Sequence, residues 1–346
     1  MQTFSYPEAF ELESGAVLPG FDIAYRTYGT PTQDPDRVIW VCHALTANAE
    51  VADWWPHMVG RDLIFDPRHH FIVCANMLGS CYGSTHALSL HPETGAPWYH
   101  DFPLLTNRDI VRAFDLLRQH LGLDRIRTLI GGSLGGQQVL EWALLQPDVF
   151  AEIIPIATNA RHSAWGIAFN ESQRLAIQAD PTWHQDRPDA GLIGLKAARS
   201  IALLSYRGYR AYTETQTDPE SDRLEAFRAT TYQQYQGEKL VSRFNAYAYW
   251  TLSKAMDSHH LGRGRGSVET ALAQIKARTL VIGVDTDGLF PVEEQQLLAR
   301  HIPRARYHEI QSPSGHDGFL IETGQISEAI RAFWSEAPAS LPHTSG

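Results

Sequence analysis

The segment Gly131-Gly132-Ser133-Leu134-Gly135-Gly136 sets a hydroxyl among glycines, directly after an apolar stretch at Arg127–Ile130 and before a helix-forming one at Gln137–Leu145. Gly-x-Ser-x-Gly at a strand-to-helix turn is how a serine is lifted out of a sharp bend as a nucleophile. Glycine is needed on both sides because a Cβ there would strike the neighbouring strand or helix. The helix start behind Ser133 also aims backbone N–H groups at the place where negative charge develops in acyl transfer. A serine hydroxyl is weak at its free pKa, so the pattern predicts a base and an orienting carboxylate, in the chain order Ser, Asp or Glu, His.

Both partners occur at suitable places. The stretch Thr279–Val284 runs into Asp285-Thr286-Asp287-Gly288-Leu289-Phe290-Pro291, and Ala305–Ile310 runs into Ser312-Pro313-Ser314-Gly315-His316-Asp317-Gly318. Two carboxylates compete for the orienting role. Asp287, deeper in the loop and next to Gly288, is the better placed, while Asp285 reads as a strand-end residue that ties down the turn. Of sixteen histidines, His316, set in Gly-His-Asp-Gly after the last strand, is the one placed to be the base. His43, His86, His259 and His260 have no such placement, and the His259-His260 pair reads as a solvated helix end rather than a metal site. An oxyanion needs a second N–H besides that of Leu134. The loop His43-Ala44-Leu45-Thr46 after Val38–Cys42 is where it is expected, from Leu45 first and Thr46 next.

The elements that must position these groups are legible as well. Short β-branched runs at Val38–Val41, Phe71–Cys74, Ile126–Ile130, Ile153–Ile156 and Thr279–Val284, several followed by glycine and an amphipathic stretch, predict buried parallel strands alternating with helices. Phe21–Tyr28 alternates more, as an antiparallel edge strand would. Arg108–Leu121 has helical spacing and stops at Gly122. An α/β architecture with a serine elbow is the α/β-hydrolase fold, with a mostly parallel sheet. From about Arg161 to Gly266 strand signals give way to long stretches rich in Ala, Leu, Arg, Gln and Tyr. The division predicted is a core of residues 1–160 and 267–346 with a helical lid inserted at 161–266. Residues Ala337 to Gly346, rich in Pro and Ser, are expected to be frayed.

Composition narrows the function classes. The 346 residues are 43% hydrophobic and 20% charged, which is globular. A net charge of −10 argues against a nucleic-acid surface, which needs clustered Lys and Arg. No segment has the length of a membrane span and the start does not read as a secretory signal. Three cysteines without CxxC spacing suggest neither a disulfide framework nor zinc. A cytoplasmic protein without metal or resident cofactor is the expectation.

Beyond the serine pattern, an ordered set of motifs resembles the homoserine O-acetyltransferases of methionine biosynthesis. It comprises His43-Ala44-Leu45-Thr46, Asn76-Met77-Leu78-Gly79-Ser80-Cys81-Tyr82-Gly83-Ser84-Thr85, Asp101-Phe102-Pro103, Arg108-Asp109, Gly131 to Gln137, Asp287 to Pro291, and Gly315-His316-Asp317-Gly318-Phe319. The resemblance implies a triad of Ser133, Asp287 and His316. It also implies that Arg199 and Tyr206, seven residues apart in the lid, and Asp317 bind L-homoserine: a guanidinium suits the carboxylate of a zwitterionic amino acid and a carboxylate its ammonium. A homodimer through the lid is implied too. The chain departs from the family at His86-Ala87, where Gly-Pro is usual, and in the loop Asn48–Trp55.

The reaction so implied is ping-pong, with acetyl-CoA as co-substrate. Ser133 takes the acetyl group, CoA leaves, and the homoserine hydroxyl attacks the acetyl-serine, with His316 as base in both halves. Two alternatives stay open. One is the same fold using succinyl-CoA, or L-serine as acceptor. A succinyl carboxylate would need a cation, for which Arg108 and His86 are the candidates. The other is a carboxylesterase-type serine hydrolase, which would have no use for Arg199, Tyr206 and Asp317. A catalytically silent binding module is a further, less favoured class.

Overall fold

The computed structural model describes residues 1–336; the expectation for Ala337 to Gly346 lies outside the described residues. In chain order the strands are β1 (Gln2–Tyr6), β2 (Phe10–Glu11), β3 (Val17–Leu18), β4 (Phe21–Tyr28), β5 (Val38–Cys42), β6 (Phe71–Ala75), β7 (Ile126–Gly132), β8 (Phe150–Ile156), β9 (Arg278–Val284) and β10 (Ala305–Ile310). β2 and β3 form a separate hairpin; the others build one eight-stranded sheet ordered β1-β4-β6-β5-β7-β8-β9-β10. All pairings from β6 to β10 are parallel.

One expectation is corrected here. β4 is not the edge, because it pairs antiparallel with β6 on one side and with β1 on the other. β1 escapes pattern reading for a physical reason: of its five residues only Phe4 is buried, so it presents no apolar run, and its place comes from hydrogen bonding to β4 and from Phe4 packing edge-on against Phe21.

Period-two alternation sends the side chains of the buried strands into two layers. From β5, Ile39 and Val41 join Trp55, Phe65 and Phe333 on one face. Val38, Trp40 and Cys42 join Phe114 and Trp142 on the other, where Trp40 meets Trp142 edge-to-face at 5.0 Å between ring centroids. The helices supply the facing surfaces: α1 (Val51–Trp54), α2 (Asn107–His120) and α3 (Leu134–Leu145) before β8, then α10 (Val292–His301), α11 (Gly318–Ile321) and α12 (Thr323–Ser335) after β9. α2 begins with a reciprocal cap between Thr106 and Asp109 and ends at Gly122, whose φ of 65° suits the residue after a helix.

Between β8 and β9 the chain is helical: α4 (Ala164–Gln178), α5 (Leu192–Tyr206), α6 (Tyr209–Gln216), α7 (Arg228–Val241), α8 (Ala246–Asp257) and α9 (Val268–Leu272). Arg174 of α4, itself buried, pairs with Asp257 of α8 and holds these helices together. β5, β7, β9 and β10 all end on the same side of the sheet, so the loops that follow them form one rim, where sites of open α/β sheets collect.

Candidate active site

β7 runs without a break into Ser133, whose backbone sits at φ 58°, ψ −126°. A non-glycine residue there costs roughly 1–3 kcal/mol and is held by its surroundings: its N–H donates to Ile156 O at 3.0 Å, and its carbonyl accepts from Thr158 Oγ1 at 2.9 Å. The flanking glycines answer to space. A Cβ on Gly131 would lie 2.8 Å from the Cys42 carbonyl oxygen, and one on Gly135 would overlap the same oxygen. Either would push β5 and α3 apart.

Ser133 Oγ lies 2.8 Å from His316 Nε2, and His316 Nδ1 lies 2.6 Å from Asp287 Oδ2. A carboxylate can only accept, so Nδ1 carries the imidazole proton and Nε2 presents its lone pair to the serine hydroxyl. The other oxygen of Asp287 accepts the backbone N–H groups of Leu289 and Phe290, each at 2.8 Å. All three residues are buried. Asp285, by contrast, accepts the Ser312 N–H at 2.8 Å and ties the two loops together. The arrangement can transfer a proton from Ser133 to His316 while the carboxylate steadies the imidazolium that forms.

Leu45 and Ser133 line one small cavity of about 80 Å³, and Leu134 opens α3. Neither of these leucine N–H groups has a hydrogen-bond partner among the described residues. Two residues without an assigned role in the sequence reading support this loop. His43 is fully buried; its Nε2 accepts the Met77 N–H at 3.2 Å, and its Nδ1 lies 2.9 Å from Ala44 O. Arg243, from the turn between α7 and α8, donates to Thr46 O at 2.6 Å and also reaches the Tyr82 hydroxyl. The Asn76–Thr85 motif lies alongside, with the Asn76 side chain taking the Ala49 N–H at 2.8 Å and donating to Tyr82 O.

The same cavity is lined by Arg199, Tyr206, His316, Asp317 and Phe319. Arg199 has no ion-pair partner among the described residues; its guanidinium stands 5.7 Å from the Tyr206 ring centroid. The Tyr206 ring in turn lies 5.8 Å from that of His316. Asp317 faces them, and burial pushes its carboxyl pKa up against the pull of Arg207, His316 and Arg199. The structure thus brings a cation and a carboxylate together beside the serine. Larger concavities lie away from it: one of about 870 Å³ at the amino-terminal ends of the strands, lined by residues such as Arg125, Glu152 and Arg278, contains none of these groups.

With that geometry in view, residues 37–323 match the model of the alpha/beta hydrolase fold family. The homoserine O-acetyltransferase of Cyclobacterium marinum is 50% identical over 335 residues, covering 97% of this chain and 95% of that one. The chain belongs to the homoserine O-acetyltransferase family. The enzyme of that name from Trichormus variabilis is 44% identical over 95% of this chain and 92% of its own. Among solved structures, homoserine O-acetyltransferase from Staphylococcus aureus superposes with a TM-score of 0.81 at 29% identity, over 98% of this chain and 96% of that one. An acetylester hydrolase from Corynebacterium glutamicum reaches 0.86 at 22% identity, over 97% and 96%. Homoserine O-acetyltransferases and hydrolases therefore share the whole fold, and side chains must separate them.

Within this family frame, the two residues considered for neutralising a succinyl carboxylate are both engaged elsewhere. His86 turns its Nδ1 to Ser84 O at 2.9 Å and is held within its own loop. Arg108 is occupied by Glu13 at 2.8 Å and Glu141 at 2.9 Å. The reading of His259 as a solvated helix end is corrected. It is buried, with Nε2 3.0 Å from Asn159 O, because the chain beyond α8 turns back onto the end of β8 instead of running into solvent. No group of three or more His, Cys, Asp or Glu among the described residues is arranged to hold a metal, and no helix of the structure is long and apolar enough to cross a membrane.

Buried imidazoles also set a pH dependence. Burial lowers His43 and His162 to about 4 and His259 to about 3, below the ordinary value of about 6.5 in an unfolded chain. The unfolded chain therefore binds protons first as pH falls, and stability is lost on the acid side. Urea midpoints are expected to be flat with respect to these groups above pH 7 and to decline from about 6.5 toward 4. His259→Gln should flatten part of that decline; an unchanged slope would show that His259 does not contribute.

Proposed function

We propose that this chain transfers the acetyl group of acetyl-CoA to the hydroxyl of L-homoserine through an acetyl-Ser133 intermediate, with His316 as base, Asp287 as its orienting partner, and the N–H groups of Leu45 and Leu134 receiving the oxyanion. The observation that carries the reading is that Arg199, whose guanidinium has no ion-pair partner among the described residues, and Asp317 both line the cavity that contains Ser133. An ester of apolar acyl and alcohol parts has no use for that pair, whereas a zwitterionic acceptor needs one charge for each end. Tyr206 lines the same cavity, its ring centroid 5.7 Å from the Arg199 guanidinium. The engagement of Arg108 with Glu13 and Glu141, and of His86 with its own loop, leaves neither to neutralise a succinyl carboxylate, which favours acetyl as the donor group. Transfer must outrun hydrolysis by water, and the helices covering the rim serve to hold the acceptor hydroxyl in line and limit water.

The test is a panel of acetyl-CoA and succinyl-CoA against L-homoserine and L-serine, following thiol release and the O-acyl product by mass spectrometry. Acetyl-CoA with L-homoserine should be preferred. Fast acetyl-CoA hydrolysis with no gain from either amino acid would instead identify a hydrolase. The proposed chemistry needs no metal or resident cofactor, so activity should survive EDTA and dialysis.

We further propose a cytoplasmic homodimer joined through the lid. Exposed apolar side chains on that segment, among them Leu204, Tyr209, Leu224 and Tyr235, support it. Light scattering of the purified chain, with Leu204→Asp for comparison, is the check.

A further inference from the structure

Asp317 already has a protein partner. Arg207, one residue past the end of α5, places its Nε 2.9 Å from Asp317 Oδ2, an ion pair whose N–H points off the hydrogen-bond line. The pair sits where the lid touches the histidine loop. A Cβ on Gly208 would lie 2.9 Å from Gly315 N and would overlap the Pro313 carbonyl oxygen, and Gly315 itself has φ 66°. The two backbones meet without side chains between them, which fixes the reach of Arg207 to the carboxylate.

We propose that Arg207 is a positioning residue for the acceptor, holding Asp317 in place as an anion so that its free oxygen can receive the ammonium of an amino-acid substrate. This rests on the acyl-transfer reading above and deepens it. A carboxylate has two oxygens and about four lone-pair sites, so one contact at Oδ2 leaves the other oxygen for the ligand. The charged and titratable groups around Asp317 are Arg207, Arg199 and Tyr206 from the lid, His316 beside it, and Asp287 behind the histidine. Burial and the Asp287 charge favour a neutral carboxyl, and Arg207 is first among the groups opposing them. Arg199 cannot replace it once the acceptor carboxylate occupies that guanidinium. A neutral Asp317 would have only one acceptor oxygen and no charge with which to hold an ammonium.

The experiment compares Arg207→Gln and Arg207→Lys with the unchanged full-length protein. It measures the acceptor KM and kcat from pH 6 to 9, and the burst of thiol release from acetyl-CoA without acceptor. Loss of an opposite charge raises a carboxyl pKa by roughly 1–3 units. For Arg207→Gln the acid-side loss of kcat/KM for L-homoserine should therefore set in at a higher pH than in the unchanged protein. The homoserine KM near neutrality should rise on the order of tenfold while the first half-reaction changes far less. Arg207→Lys, which keeps the charge, should recover most of both. An unmoved acid limb with an unchanged KM overturns the proposal. So does a burst that falls in step with the KM rise and is not recovered by lysine, which would mark Arg207 as a latch for the lid alone. If the unchanged protein shows no homoserine-dependent turnover, the acyl-transfer reading itself has failed, and that result is distinct from both.

Discussion

Replacing Ser133 by alanine is expected to lower turnover of acetyl-CoA with L-homoserine by at least about ten-thousandfold. The hydroxyl is the one group in the cavity that pairs with the base at 2.8 Å, and without it the proposed route through a covalent acetyl-enzyme is closed. What remains is direct attack of the acceptor on the thioester, still assisted by His316 and the two N–H groups, which leaves a slow residual rate. The variant should fold, because the bonds that fix position 133 come from its backbone, to Ile156 and Thr158, and alanine keeps them. Two readouts check the expectation: the rate of thiol release, and the mass of the peptide containing residue 133 after mixing with acetyl-CoA, acetylated in the unchanged protein and bare in the variant. Undiminished turnover would remove Ser133 from the reaction.

The groups that act at strand ends were the easiest to find in the sequence, because a buried parallel strand announces itself as a β-branched run and the residues just past it inherit its position. Runs ending at Ile130 and Val284 pointed to Ser133 and to the Asp285–Asp287 loop, and His316 was placed by following the last strand, Ala305–Ile310, which buries only Ile310; the order β7-β8-β9-β10 then brings those residues within hydrogen-bond distance. The first strand shows the limit. β1 buries one side chain in five, so its role is carried by backbone hydrogen bonds that no side-chain pattern records. Contacts between distant segments were equally silent. Arg207 and Asp317 are 110 positions apart in the numbering, and nothing local says that the end of α5 meets the histidine loop; the signal that could have suggested it is the pair Gly208 and Gly315, where close backbone approach demands glycine. Arg243 reaching Thr46 is a contact of the same kind. His259 was misread because two adjacent histidines after a helix look solvated unless one knows that the chain doubles back onto β8.

The choice between the two carboxylates of the Asp285–Asp287 loop yields the second large expected effect. Asp287→Asn keeps size and shape but changes what can be donated. The carboxylate accepts from His316 Nδ1 at 2.6 Å through one oxygen and from two backbone N–H groups through the other. The amide must satisfy the two backbone donors with its single oxygen, so its NH₂ is left facing Nδ1. Two donors cannot share that contact, and the imidazole is driven to the other tautomer, with its proton on Nε2 aimed at Ser133 and no lone pair to receive the serine proton. A loss of about ten-thousandfold in kcat is expected, with the homoserine KM little changed. Activity should recover in part at high pH, where hydroxide or a deprotonated serine bypasses the blocked base. Asp285→Asn provides the contrast. Its Oδ1 accepts one backbone N–H, from Ser312, a task that an amide oxygen performs as well, so kcat should stay within a few-fold and stability within about 1 kcal/mol. Equal losses at the two positions would mean that the loop as a whole, and not the charge on Asp287, orients His316; a large loss at Asp285 alone would reverse the assignment.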